Sequence, residues 1–272
     1  MTTPRESDRP PSAPLTYASY LKVPELLALQ QPRSPGPEHD EMLFIVIHQV
    51  YELWFKQMLW EGDHLSARLA AGERPTAQAT LRRMLTILKT LVAQIDVLET
   101  MTPVSFLSFR ARLESASGFQ SAQFREFEFL LGNKRPGVIE RYDGSIEERT
   151  RLERRMAAPS LWDAFLRFLA ASGISVPPAL LARDVREAPQ PSEPLQEALL
   201  ALYHGEPDLR VVCELMVDLD EGVQEWRYRH VKMVERTIGM RGGTGGSAGV
   251  GYLVNTLFRP AFPDLWAIRT RL

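Results

Sequence analysis

The chain has 272 residues, 44% of them hydrophobic and 24% charged, with a formal net charge of −2. That length is enough for a sizeable core, and the near-neutral balance gives no electrostatic footprint for nucleic acid or an anionic membrane. A single cysteine, Cys213, excludes an internal disulfide framework and a cysteine-rich zinc site and fits a reducing compartment. No apolar run is long enough to read as a membrane span.

Met1 to Pro14 is polar and proline-rich without an apolar h-region, so it reads as a disordered tail and not a secretory signal, and the chain reads as cytoplasmic. Residues 15–30 form an arm. Pro24 opens a short helix carrying Leu26, Leu27 and Leu29, and ahead of it Tyr17, Tyr20 and Leu21 make a patch that so short a segment cannot bury by itself. It packs either on the chain's own surface or on another subunit. A long helix is predicted from Asp40 to about Ala71, with Asp40 and Glu41 suiting its dipole. Phe44, His48, Tyr51, Phe55 and Met58 lie on one stripe of it, and Trp54 and Leu59 widen the apolar surface. The next helix, Pro75 to about Thr100, is core. Phe106 and Arg110 then lie four apart on a helix face. Ser115, Ser117 and Gly118 interrupt with turn chemistry, and helix resumes through Phe124, Phe127 and Leu131 to stop at Gly132-Asn133.

Residues 135–158 are charged and read as a solvated helix or hairpin. Pro159 to Ala171 is a short amphipathic helix, and Gly173 to Pro194 has little periodicity. A helix from Leu195 to Tyr203 follows, with His204-Gly205 as its expected C-terminal cap. From Asp208 the stripe Leu209, Val212, Met216, Leu219, Val223, Trp226 continues onto His230 and Met233, with Arg227, Arg229 and Lys232 on the other faces. After Ile238 six glycines fall between Gly242 and Gly251, around Thr244 and Ser247, and a helix-like tail closes the chain. No strand pattern or repeat is present; the fold reads as all-α, one helical domain over residues 15–272.

Each candidate site residue has a bland reading. A histidine on an apolar stripe is usually hydrogen-bonded core; a glycine run can be a plain loop or a backbone cradle; an arginine among aromatics can snorkel or clamp a carboxylate. The chain lacks a Cys pair, a His-x-x-x-His pair and the paired Glu-x-x-His motifs of a di-iron site. Gly243-Thr-Gly245-Gly-Ser-Ala248 follows a helix, not a strand, which removes its weight as a dinucleotide motif. Two stripe histidines on different central helices, in an aromatic interior, are an inventory that heme fits: one axial imidazole, His230, and a second polar group, His48, across the ring.

Four segments, EHDEMLFIVIHQVYELWFK, MTPVSFLSFRARLESASGFQS, WRYRHVKMVERTIG and GTGGSAGVGYL, stand in that order and spacing. With them the chain resembles the tryptophan 2,3-dioxygenase family; the LTYASYLKVPELL arm and the terminal LWAIRTRL extend the resemblance over Leu15 to Leu272. The resemblance implies an all-helical, heme-dependent cytosolic homotetramer that uses O2 to open the indole ring of L-tryptophan, giving N-formyl-L-kynurenine. It makes His230 the heme-iron ligand and His48 the catalytic distal histidine facing the indole N–H. It assigns Arg110 to the substrate carboxylate, Phe44 and Phe106 to the indole walls, Thr244 to the ammonium, and Ser117 and Gly118 to the edge of heme and substrate. Tyr17, Tyr20 and Leu21 would complete a neighbouring subunit's pocket. Phe106 stands where some members have Tyr, and Val50, Trp60 and Met240 also depart from commoner choices, which leaves room for a substituted tryptophan. A monooxygenase inserting one oxygen into the indole, and a non-catalytic heme sensor, remain as alternatives.

Overall fold

The computed structural model describes residues 14–36, 38–114, 116, 118–142, 144–241 and 250–272; the expected N-terminal tail up to residue 13 lies outside them. Among the described residues the architecture is all-α, without strands. The helices are α1 (Tyr17–Leu21), α2 (Val23–Leu27), α3 (His39–Ala70), α4 (Arg74–Leu98), α5 (Pro103–Arg110), α6 (Ala122–Leu131) and α7 (Pro136–Glu140). They continue with α8 (Ile146–Ala157), α9 (Leu161–Ala171), α10 (Pro178–Leu181), α11 (Glu193–Gly205), α12 (Pro207–Ile238), α13 (Val250–Val254) and α14 (Pro263–Ala267). None of the described helices is long and apolar enough to cross a membrane.

Three long helices set the frame. α4 packs on both α3 and α12, and α6 and α9 pack on α3 as well. Proline in the first turn starts α4, α5, α11 and α12, where its missing N–H has no intrahelical partner to lose. Two glycines let helices approach closely. A Cβ at Gly222 of α12 would come within 2.6 Å of Leu88 Cδ2 on α4, and one at Gly62 of α3 would strike Leu130 of α6. The Tyr51 hydroxyl donates to the Leu91 carbonyl at 2.8 Å, tying α3 to α4 through a buried hydrogen bond. This packing fixes the two histidine-bearing helices against common neighbours.

The long helices begin and end within two residues of their predicted bounds. Elsewhere the structure departs from the sequence reading. Residues 135–158 are more than a solvated face: α7 and α8 bury Val138, Ile139, Tyr142, Leu152 and Met156 with Ala122 and Phe129 in a second apolar cluster. Gly205 is not a cap but the last residue of α11, and α12 begins two residues later at Pro207. The arm has a helix ahead of α2, because Thr16 and Ser19 form a capping box that starts α1. The closing segment is broken at Pro260 and Pro263 into short pieces, with Phe262, Leu265 and Ile268 fully buried.

That closing segment is pinned to α12 by one carboxylate. Asp220 Oδ2 accepts from Ala261 N at 2.8 Å, Phe262 N at 3.1 Å and Trp266 Nε1 at 2.9 Å. Asp220→Ala would leave those donors without their acceptor, and it is expected to cost about 3 kcal/mol in denaturant unfolding, with altered Trp266 fluorescence in the native state. A loss below about 0.5 kcal/mol would mean that water replaces the carboxylate without penalty.

Candidate active site

Helices α3, α4, α5, α6 and α12, with residues 253 and 256, enclose a cavity of about 270 Å³. Phe44, His48, Phe106, Arg110, Gly118 and His230 all line it. Six of the predicted site residues, far apart in sequence, therefore converge. Ser117 and Thr244 lie outside the described residues. Tyr17, Tyr20 and Leu21 do not line the cavity of their own chain: they are exposed on α1, the two tyrosines at 78% and 70%. Among the departures from the family pattern only Phe106 lines the cavity; Trp60 and Met240 are exposed at 75% and 78% and Val50 is not a lining residue.

The aromatic walls come from α3 and α5. The Phe44 ring lies 4.1 Å from the His48 ring and 5.7 Å from that of Phe106, centroid to centroid. Phe109 closes the cluster edge-on at 5.4 Å from Phe106. His48 Nδ1 is 2.7 Å from the Phe44 carbonyl oxygen. A carbonyl can only accept, so Nδ1 carries the proton and Nε2 keeps its lone pair as an acceptor. Burial holds the His48 pKa below the usual histidine value, partly offset by that hydrogen bond and by the Glu52 carboxylate one turn on.

His230 stacks on Trp226, one turn earlier on α12, with centroids 5.1 Å apart and planes 8° from parallel. It is partly exposed and lines the cavity. Burial, with smaller contributions from His48 and the Arg125 guanidinium, pushes its pKa down to about 4. Both imidazoles are therefore neutral at pH 7. Neutral imidazole is the form that coordinates a metal or accepts a hydrogen bond.

Part of the cavity lining is charged. Glu128 on α6 is fully buried and accepts from Arg125 Nη1 at 2.7 Å, Arg135 Nη2 at 2.6 Å and Arg227 Nη2 at 2.8 Å. Burial alone would raise its pKa, but the guanidiniums of Arg125, Arg227 and Arg135 together outweigh that and hold it below the usual carboxylate range. Arg227 also donates from Nη1 to the Thr256 carbonyl at 3.0 Å. This cluster escaped the sequence reading, which grouped Arg227 with Arg229 and Lys232 on the faces away from the stripe and gave it no partner. Those two do make surface pairs, with Asp96 and Glu235. A signal was present: Glu128 stands four after Phe124 and three before Leu131, so it occupies the apolar stripe of α6.

The residues suit heme. The porphyrin brings four nitrogen donors and needs one neutral imidazole in an apolar slot, and His230 is neutral and lines such a slot. Among the described residues no three His, Cys, Asp or Glu side chains converge as a direct metal site, a donor set that heme does not require.

The family model described as tryptophan 2,3-dioxygenase matches residues 5–160 and 187–272, leaving α9 and α10 outside the match. A tryptophan 2,3-dioxygenase of Herpetosiphon aurantiacus is 58% identical over 261 residues, covering 96% of this chain and 100% of its own length. That of Anaeromyxobacter sp. is 58% identical over 96% of this chain and 97% of its own, and that of Caulobacter vibrioides 43% over 95% and 98%. Such identity over nearly full lengths, together with a family-model match that spans the cavity-lining residues, places the chain within the tryptophan 2,3-dioxygenase family.

Proposed function

We propose that the protein is a heme-dependent oxygenase that adds both atoms of O2 across the indole C2–C3 bond of L-tryptophan, giving N-formyl-L-kynurenine. The observation that carries this reading is the pair of neutral imidazoles, on α3 and α12, in one aromatic cavity that Arg110 also lines. The named relatives are tryptophan 2,3-dioxygenases, and membership of their family supports the same reaction here.

His230 would hold the heme iron through its free ring nitrogen, and Trp226 stacked on the imidazole restrains its rotation. Bound there, heme supplies the ferrous centre that activates O2. The chain's own groups do the rest. Phe44 and Phe106 flank the indole, and the His48 Nε2 lone pair accepts a hydrogen bond from the indole N–H. Arg110 pairs with the amino-acid carboxylate through its planar fork, a match that lysine cannot copy. Thr244 holds the ammonium, and Ser117 and Gly118 border cofactor and substrate. A Cβ at Gly118 would meet no protein atom within 4 Å, so protein packing does not demand glycine there. An approaching ligand would.

In this reading residues 15–272 act as one catalytic unit in a cytoplasmic homotetramer. Tyr17, Tyr20 and Leu21 then enter a neighbour's site, which would cover an apolar patch that α1 leaves in water. The test is mass spectrometry of the product from heme-supplied protein, tryptophan and ¹⁸O₂. Two labelled atoms in one ring-opened product are expected. One labelled atom in an oxindole or hydroxylated product would indicate a monooxygenase, and no turnover a sensor; either result overturns the proposal.

A further inference from the structure

Between the end of α5 at Arg110 and the start of α6 at Ala122 the chain makes two short 3₁₀ turns, Ala111–Leu113 and Gly118–Gln120. Leu113, Ala116, Gly118 and Ser121 of this connection line the cavity together with Arg110. The connection carries backbone strain. Glu114 has φ 50° and ψ −115°, the angles of the first central residue in a type II′ turn, where glycine dominates because a Cβ is crowded. A non-glycine residue persists there only when its surroundings over-determine it, and such strain gathers at functional sites. One brace comes from outside the cavity. The Tyr142 hydroxyl donates to the Gln120 carbonyl at 3.0 Å. The Tyr142 ring is 5% exposed and packs in the second apolar cluster with Val138, Ile139 and Leu152, so the hydroxyl is delivered from a fixed base. Gly144 leaves room for that ring, since a Cβ there would collide with it. The same hydroxyl also acts on Glu148, whose carboxylate closes the capping box of α8.

We propose that Tyr142 is a positioning residue for the substrate site: its hydroxyl braces the strained connection between α5 and α6 and so holds Arg110 and Gly118 in place on the cavity wall. This rests on the tryptophan reading above, in which Arg110 meets the substrate carboxylate. Tyr142 does not line the cavity, and it acts through the Gln120 backbone. Without the hydroxyl, the strain at Glu114 favours relaxation of the connection away from its cavity-lining geometry. Arg110 is the last residue of α5 and directly precedes the connection, so its guanidinium is the group such relaxation displaces from the carboxylate.

The test is titration of the heme-loaded full chain with L-tryptophan, the Kd being read from the change in the Soret band, beside steady-state kinetics. Tyr142→Phe keeps the ring in its cluster and removes the hydroxyl. It should raise both the Kd and the KM for tryptophan about fivefold, the scale of one hydrogen bond, with kcat little changed. Glu114→Gly in that background should recover part of the lost affinity, because glycine takes those angles without strain. Gly144→Ala, which displaces the ring, should weaken binding in the same direction, and it decides if Tyr142→Phe fails to fold. A merely structural hydroxyl would lower the unfolding midpoint of Tyr142→Phe and leave the Kd at its wild-type value. That result, or no recovery with Glu114→Gly, overturns the proposal. Wild-type protein whose Soret band does not respond to tryptophan removes the functional reading and this inference together, whereas a normal response that Tyr142→Phe leaves unaltered removes only the inference.

Discussion

Glu128→Ala is expected to destabilise the fold by about 3–5 kcal/mol, because it leaves buried guanidiniums without their shared carboxylate. That is a large share of the 5–15 kcal/mol that roughly spans ordinary domain stabilities, so the variant should express poorly or unfold at much lower denaturant. The loss is felt in several places at once. Glu128 joins the start of α6, the segment leading into α7 and the middle of α12, and through Arg227 it reaches the Thr256 carbonyl. Glu128→Ala with Arg227→Met should be less unstable than the sum of the two single changes, since removing a cation relieves the carboxylate's absence. Equal and additive losses would show that the pair is not coupled.

Arg110→Ala should raise KM for tryptophan about 100-fold while changing kcat far less. The carboxylate is remote from the reacting bond, so its contact binds ground state and transition state alike. Loss of a bidentate charge-assisted pair costs about 2–3 kcal/mol, which is the scale of that change. Arg110→Lys should recover only a small part, because a point charge lacks the planar fork. An unchanged KM in Arg110→Ala would remove the clamp from the site. Phe106→Ala offers a contrast: it opens the aromatic wall at a position that packs on both Phe44 and Phe109, so packing and binding fall together.

The two histidines were legible in the sequence because helical periodicity is strict. Phe44, His48, Tyr51 and Phe55 leave no register in which the imidazole faces water while its neighbours face the core, and the same holds for Trp226, His230 and Met233. The four-residue spacing put Arg110 on the same face as Phe106, and both line the cavity, but spacing left snorkelling and clamping open. What periodicity could not reveal is pairing at long range. Arg227 looks like one of a basic cluster with Arg229 and Lys232 until Glu128, ninety-nine residues earlier, is folded against it. Residues 135–158 hid their buried positions for a related reason: Val138, Ile139, Leu152 and Met156 are sparse among charges, and only contact with Ala122 and Phe129 makes them a core. The exposed apolar arm was read correctly as a segment unable to bury itself, since its local sequence already determines that.

The proposed function requires His230 and His48 to face a heme between α12 and α3. The most direct measurement is the absorption spectrum of purified, heme-supplied protein beside its His230→Ala and His48→Ala variants. Wild type should show a Soret band typical of histidine ligation, His230→Ala should lose or grossly shift it, and His48→Ala should retain it with weakened tryptophan turnover. A wild-type protein that takes up no heme, or a spectrum that ignores position 230, would contradict the assignment.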